Sequence, residues 1–342
     1  NNQNPDASPA LTFTYDNLLP VSQMTSPAPG SFIQNPAAQL ATITGTAYSD
    51  PTNSSFGAPV DQVLLNLWCS GCSAGNPAWW ASGWAGGAEP AFQFGTSLNV
   101  PEWSNNSWPN TWDSGYQYAV YSRGRDLAGN LESPEASGTF IVDLTTPVSS
   151  VGFPPDAGFA GVGAVTISGT AEDRFCALTA LCSSGRHFEG GIAPSSVTVL
   201  IQEMFGSNYY WNGNSFTSAT PVWSSATFVG LSSGTWTYLL PSTALSDLRT
   251  YKVTSRVRDQ ANNQEVPVTT NTFTADFSAP TTVVNLPSGD GAPVLTLPTV
   301  TGTALDNGPA GVAHVFVAYY RSSVPARWWN KTSKAFDLPD AA

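Results

Sequence analysis

Aspartates recur in three fixed contexts along the chain. Thr-Phe-x-x-Asp-x-x-x-Pro carries Asp16, Asp143 and Asp276. Gly-Thr-Ala, followed within a few residues by an aspartate, carries Asp50, Asp173 and Asp306. Arg-x-Arg-Asp-x-Ala-x-Asn-x-Glu carries Asp126 and Asp259. Carboxylates gathered from distant segments repel one another unless a cation lies between them, and calcium prefers such oxygen ligands, so structural calcium is the candidate cofactor. The competing reading is that each aspartate caps its own turn, with Arg123, Arg125, Arg256 and Arg258 neutralising the group.

Other reactive side chains are few. The histidines are His187, in a Gly/Ser-rich stretch, and His314, between Val312 and Phe316 in what reads as an ordinary strand. Neither stands near a nucleophile-elbow context, and no Gly-rich phosphate loop follows a strand. Catalysis is not expected. The cysteines fall into two local pairs, Cys69/Cys72 and Cys176/Cys182. A four-thiolate zinc site would require two distant segments to fold together, and a five-residue spacer is a poor knuckle. Free thiols are a third possibility. Two local disulfides are expected, which implies an oxidising, extracellular setting. Adjacent aromatics recur as Trp79-Trp80, Tyr210-Trp211 and Trp328-Trp329. Neighbours on a strand point to opposite faces. One ring of each pair can therefore enter the core, while the other covers it or meets a neighbouring chain or a sugar.

Composition narrows the partners. The net charge is −12 from 12 basic and 24 acidic residues, with no basic cluster, so nucleic acid and anionic membrane surfaces are not expected partners. No apolar run is long enough for a transmembrane segment. Charged residues make up 11% of the chain, well below the usual quarter or so. Thr, Ser, Asn, Gly and Pro take their place, a vocabulary of strands and turns.

These residues are positioned by a repeat. Ile43-Thr-Gly-Thr-Ala, Ile167-Ser-Gly-Thr-Ala and Val300-Thr-Gly-Thr-Ala head successive copies of a unit of roughly 125–135 residues, written about two and a half times. In Tyr251–Asp259, Tyr251, Val253, Ser255 and Val257 alternate with Lys252, Thr254, Arg256 and Arg258, the pattern of a half-buried strand. Tyr118, Val120 and Ser122 repeat it. The turn that follows has Gly129 in one copy and Asn262 in the other, the residue types that tolerate a left-handed backbone. The next strand then returns antiparallel through Phe140 or Phe273. Val165–Asp173, Ser195–Glu203, Thr235–Leu240 and Val312–Tyr320 read as further strands. About seven short strands per unit, with no helical periodicity, predict an all-β chain of tandem β-sandwiches.

The order Gly-Thr-Ala-x-Asp, Tyr-x-Val-x-Ser-Arg-x-Arg-Asp-x-Ala-Gly-Asn and Thr-Phe-x-x-Asp-x-x-x-Pro resembles the bacterial immunoglobulin-like repeats of large secreted and surface proteins, over most of residues 9–342. The resemblance implies extracellular or cell-surface tandem domains used as a stalk, adhesin or fibre. The expected division is 1–20, the last strand and linker of a preceding repeat; 21–147 and 148–280, two complete repeats; and 281–342, an incomplete third. On an immunoglobulin-like sandwich the loops bearing these aspartates share one pole with the incoming linker. Asp16, Asp50 and Asp126 then meet at the first junction, Asp143, Asp173 and Asp259 at the second, and Asp276 and Asp306 at the third.

The leading expectation is a structural segment of a rod-like or filamentous surface protein. Its units run head to tail, continuing into the same array or self-associating. The alternative is an adhesin whose exposed aromatics or long loop 173–195 hold a glycan or protein ligand. An accessory region of a secreted enzyme is a third reading. The incomplete third repeat is expected to be completed by a longer polypeptide rather than by the segment Leu11–Tyr15 exchanged from another subunit.

Overall fold

The computed structural model describes residues 13–49, 57–73, 76–92, 94–173, 192, 196–266, 268–288, 295–296, 299–323 and 325–338. Unit 1 comprises β1 (Val21–Ser26), β2 (Ser31–Ile33), β3 (Ile43–Tyr48), β4 (Val60–Ser73), β5 (Asn76–Trp80), β6 (Trp84–Gly86), β7 (Phe94–Gly95), β8 (Ser97–Asn99), β9 (Glu102–Asn105), β10 (Tyr116–Asp126) and β11 (Ala136–Val142). Unit 2 repeats the series as β12 (Val148–Phe153), β13 (Gly158–Ala160), β14 (Val165–Glu172), β15 (Thr198–Glu203), β16 (Tyr210–Trp211), β17 (Phe216–Ser218), β18 (Ser224–Ser225), β19 (Thr227–Gly230), β20 (Ser233–Leu240), β21 (Thr250–Arg256) and β22 (Thr269–Ala275). The α-helix among the described residues is one turn, α1 (Pro36–Gln39).

Each unit is two sheets face to face. In unit 1 the strand order is β1-β3-β9-β8 against β2-β11-β10-β4-β5-β6, with β7 also on β4. In unit 2 it is β12-β14-β20-β19 against β13-β22-β21-β15-β16-β17, with β18 on β15. The chain is thus all-β, with tandem immunoglobulin-like sandwiches of one topology. The strands beyond the expected seven or so are short hairpins such as β5–β6 and β16–β17, built on the aromatic pairs.

The alternating strand keeps its expected core face, but Thr254, expected on the outer face, is buried as well. Tyr251, Val253, Ser255 and Val257 are buried, as are Tyr118, Val120 and Ser122. Tyr118 pairs with Phe140 across β10 and β11, and their rings stack at 5.6 Å. Tyr251 and Phe273 do the same at 5.4 Å. Gly129 and Asn262 both adopt positive φ, 89° and 75°, which lets the chain reverse within a few residues.

Two features of the core went unseen in the sequence. Trp103 of β9 and Trp236 of β20 are buried across from Gly45 and Gly169. Each indole lies where a Cβ on that glycine would be, and each Nε1 donates at 3.1 Å to the next carbonyl, of Thr46 or Thr170. The second feature is a buried acid. Glu132 accepts from Ser22 N at 2.8 Å, Ser22 Oγ at 2.5 Å and Gly124 N at 2.8 Å. Glu265 accepts from Ser149 N at 2.8 Å, Ser149 Oγ at 2.6 Å and Val257 N at 3.1 Å. The two serines, Ser22 and Ser149, also reach Ser122 and Ser255 at 2.8 Å. The first strand of one sheet is thereby tied to the turn of the other.

After the second unit come β23 (Thr281–Leu286), β24 (Thr301–Leu305), β25 (Tyr320–Arg321), β26 (Arg327–Asn330) and β27 (Ala335–Leu338). They form a two-stranded and a three-stranded sheet. The expected buried strand over Val312–Tyr320 is corrected here. Only Tyr320 is in a strand, and Val312, Val315, Phe316 and Val317 are exposed. In the complete units the matching strand pairs with β10 or β21, whereas no described strand lies beside this segment.

Removing the carboxylate of Glu265 strands buried N–H donors, at about 1–3 kcal/mol each. Glu265→Ala is expected to destabilise unit 2 by about 3 kcal/mol, and Ser149→Ala, which removes a hydroxyl, by about 1 kcal/mol. Hydrogen exchange of the β21 amides, compared with those of β10 as an internal reference, measures both. An unchanged exchange rate in Glu265→Ala would contradict the assignment.

Candidate functional site

The linkers enter both complete units beside the turn of the repeated motif. Asp126 accepts from Asn130 N and Nδ2, both at 2.9 Å. Asp259 accepts from Asn263 N and Nδ2, both at 2.8 Å. The same Asn amides then donate to the incoming linker, Asn130 to the Asp16 carbonyl at 3.2 Å and Asn263 to the Asp143 carbonyl at 3.0 Å. The motif is therefore a short hook: the aspartate fixes the asparagine, and the asparagine holds the preceding linker.

The linker aspartates cap their own turns. Asp16 Oδ1 accepts from Leu18 N at 2.9 Å, Asp143 Oδ1 from Thr145 N at 3.0 Å, and Asp276 Oδ1 from Ser278 N at 3.0 Å. Asp16 and Asp276 also bind the loop after the Gly-Thr-Ala strand. Ala58 N donates to Asp16 Oδ2 at 2.5 Å, and Ala310 N to Asp276 Oδ2 at 2.7 Å. Gly308 packs so closely on the Asp276 carboxylate that a Cβ there would overlap it.

The second junction brings its three aspartates together. Asp143, Asp173 and Asp259 are all buried, and each offers an oxygen within 4.8 Å of the others. At the first junction Asp16 and Asp126 are bridged through Asn130, while Asp50 lies outside the described residues. At the third, Asp306 caps Gly308 N at 3.1 Å and Asp276 holds Ala310. The motif arginines have other contacts. Arg125 pairs with Asp61 at 2.8 Å, and Arg258 binds Asn262 and Gln264. Arg256 lies 3.9 Å over the Trp223 ring, and Arg123 donates to the Glu132 carbonyl.

Burial raises the Asp259 carboxyl to about 6, with the Asp143 carboxylate adding to the shift. Burial raises Glu265 as well.

The remaining candidate residues are placed as follows. Cys69 and Cys72 form a disulfide across the irregular stretch of β4 opposite β5. Cys176 and Cys182 lie outside the described residues, as does His187. Trp211 is buried, 5.3 Å from Phe216, and Tyr210 is half-buried. Trp80 packs at 5.3 Å on Trp84 at the edge of the unit 1 core, and Trp79 at 5.3 Å on Tyr121 outside it. Trp328 lies 4.7 Å from Tyr320, and Trp329 is exposed. His314 is exposed, 6.3 Å from Phe316. The long loop 173–195 is described only at Asp173 and at Ile192, which pairs with Asp259.

The hook could have been read from the invariant Asn-x-Glu that closes the repeated dozen residues. The Trp-on-Gly contact had no such signal, because the indole's hydrogen-bond partner beside the glycine lies 57 positions away in one unit and 66 in the other.

No protein-family profile matches the chain, and no curated protein is detectably similar to it. Solved structures of tandem β-sandwich modules do resemble it, at low identity. The fibronectin(III)-like modules of Clostridium thermocellum CbhA share 10% identity over 75% of this chain and 95% of that one, with a TM-score of 0.34. A 1.5-MDa bacterial ice-binding adhesin, described for host cell surface retention, shares 15% identity over 79% and 70%, with a TM-score of 0.33. A tetra-tandem repeat in the extending region of a large adhesion protein shares 14% over 88% and 68%, with a TM-score of 0.26. No described helix is long and apolar enough to cross a membrane.

The raised Asp259 carboxyl fixes the sign of a pH effect. Its folded value lies above the unfolded one, near 3.9, so its contribution to stability is complete below about pH 4. That contribution is lost as pH rises through about 6. In chelator, the stability of Asp259→Asn relative to wild type should therefore rise between about pH 4 and pH 6 and then level off. Denaturant titrations at a series of pH values test this. A difference that stays flat across the window would show that Asp259 titrates normally.

Proposed function

We propose that this chain is a structural segment of an extracellular, rod-like surface protein in which immunoglobulin-like units run head to tail. The carrying observation is the recurrence of the hook. Asn130 and Asn263 hold the carbonyls of Asp16 and Asp143 in the same way at successive junctions. A linker anchored to the following unit by backbone, amide and carboxylate bonds has few rotatable residues left, which favours a stiff rod over beads on a string. The Cys69–Cys72 disulfide supports an oxidising location. The aromatic pairs support this reading over a ligand-binding adhesin, because Trp80 and Trp211 are used in packing.

Small-angle scattering of Asn263→Ala tests the rod reading. The expected result is a shorter, broader distance distribution than wild type, with both units still folded by circular dichroism. An unchanged distribution would mean that the hook does not set the angle between units.

A structural calcium ion at the second junction is favoured by one observation, the convergence of Asp143, Asp173 and Asp259. Three carboxylates form a hard oxygen set of the kind that binds calcium at roughly 0.1–1 mM in extracellular modules. At millimolar calcium the melting temperature of unit 2 should exceed that in EDTA, and Asp173→Asn should remove the difference. Equal melting of wild type in both buffers would rule the ion out.

A further inference from the structure

The two complete units show what covers the sheet of the Gly-Thr-Ala strand. In unit 1, β9 pairs antiparallel with β3 and sets Trp103 opposite Gly45. In unit 2, β20 pairs with β14 and sets Trp236 opposite Gly169. Both indoles are buried, fill the space a side chain would take on the glycine, and close the ladder with a bond to the next threonine carbonyl.

The third unit has the receiving half of this arrangement. Strand β24 carries Gly302 at the position of Gly45 and Gly169, with Thr303 in place of Thr46 and Thr170. It pairs with β23 on one side, as β3 pairs with β1 and β14 with β12. Among the described residues no strand pairs with its other edge. Beside Gly302 lies a groove of about 320 Å³, lined by Val284, Val300, Ala304, Val315 and Val317. Val284 is 61% exposed, whereas the residues matching it in β1 and β12, Met24 and Val151, are 6% and 8% exposed. An unpaired strand edge next to an apolar groove is a template for strand addition.

We propose that β24 is the receiving edge for a tryptophan-bearing covering strand of the same repeat type. That strand runs antiparallel to Thr301–Leu305, with its tryptophan opposite Gly302 and the indole N–H donating to the Thr303 carbonyl. The specificity lies in the missing side chain: with no Cβ, the glycine admits both the neighbouring strand's carbonyl and an indole against it, and tryptophan supplies the N–H for the next carbonyl. In each complete unit the covering strand comes later on the same polypeptide, its indole reaching back 57 or 66 residues. The occupant is accordingly a covering strand of this repeat type, with tryptophan at the place of Trp103 and Trp236. A second copy of the two complete units has no such strand to give, because its Trp103 and Trp236 are buried in their own cores. The segment around Phe13–Asp16 matches β11 and β22 through its Thr-Phe-x-x-Asp motif, so it does not match the covering strand either. The proposal rests on the repeat geometry and holds whether or not the array is a surface rod.

A labelled peptide of residues 232–241 of this chain, added to the intact 342-residue protein, is the probe. Saturable one-to-one binding by fluorescence anisotropy is expected, with new hydrogen-exchange protection of the amides of residues 301–305. The same peptide with Trp236→Ala should bind at least about tenfold more weakly, the loss that about 1.4 kcal/mol represents. Gly302→Leu in the protein should weaken the wild-type peptide similarly. The exchange readout on unsubstituted protein keeps the test valid if that variant misfolds. Absence of binding, or equal binding of the two peptides, would overturn the proposal. So would concentration-dependent protection of residues 301–305 without peptide, which would assign the edge to a second copy of the chain.

Discussion

A carboxylate buried between two β-sheets must have its charge answered locally, and the answers available to Glu132 and Glu265 are backbone N–H groups and serine hydroxyls. Glu132 takes them from Ser22 and Gly124, and Glu265 from Ser149 and Val257. The donors belong to different sheets: the serine lies on the first strand of the unit, and the glycine or valine on or just beyond the strand that leads into the turn. A one-residue slip of either strand would turn Ser22 or Ser149 to the other face and leave the acid with too few donors. The network therefore fixes how the two sheets are registered. Apolar packing alone tolerates small shifts; a buried acid with three partners does not.

The same turn carries this constraint out to the surface. Glu132 follows Asn130 by two residues, and Asn130 follows Asp126 by four. Once the glutamate is seated, the aspartate and asparagine project at the pole where the linker arrives. The interior network sets the exterior hook, and the hook sets the linker. This accounts for the near-verbatim repetition of Ser-Arg-x-Arg-Asp-x-Ala-x-Asn-x-Glu. Its serine and glutamate both bond the serine of the first strand, its aspartate fixes its asparagine and its asparagine holds the linker, whereas the two arginines make different contacts in the two units. Arg125 pairs with Asp61, while its counterpart Arg258 binds Asn262 and Gln264; Arg123 donates to the Glu132 carbonyl, while its counterpart Arg256 lies on Trp223.

What could be read from the sequence was what is local. The alternation of Tyr251, Val253, Ser255 and Val257 gave the buried face, and Gly129 and Asn262 gave the left-handed turn, because strand period and φ are properties of a few adjacent residues. The shared pole of the aspartates was foreseen, and the second junction shows it. The roles of Trp103, Trp236, Glu132 and Glu265 were not foreseen. Each acts on a partner far along the chain, and unequal loop lengths shift the tryptophans out of register between repeats. The segment Val312–Tyr319 shows the same limit from the other side. Its pattern is that of a strand, but β-structure needs a neighbour, and residue preference cannot supply one.

This dependence on neighbours gives the junctions a direction. The linker before each unit is held by groups of the unit that follows it: Asn130 and Ala58 N on Asp16, Asn263 on Asp143, Ala310 N on Asp276. Loss of a unit therefore loosens the linker on its N-terminal side. The other end of the unit is different, since its own last strand runs straight into the next linker: β11 ends at Val142, one residue before Asp143, and β22 at Ala275, one before Asp276. Those strands are anchored within their own sheets by β10 and β21. A pull along the chain then reaches each hook through a strand hydrogen-bonded along its length, and the hook resists it with several short polar bonds held in place by a buried acid. In such a chain, stiffness is a property of the following unit's fold rather than of linker composition.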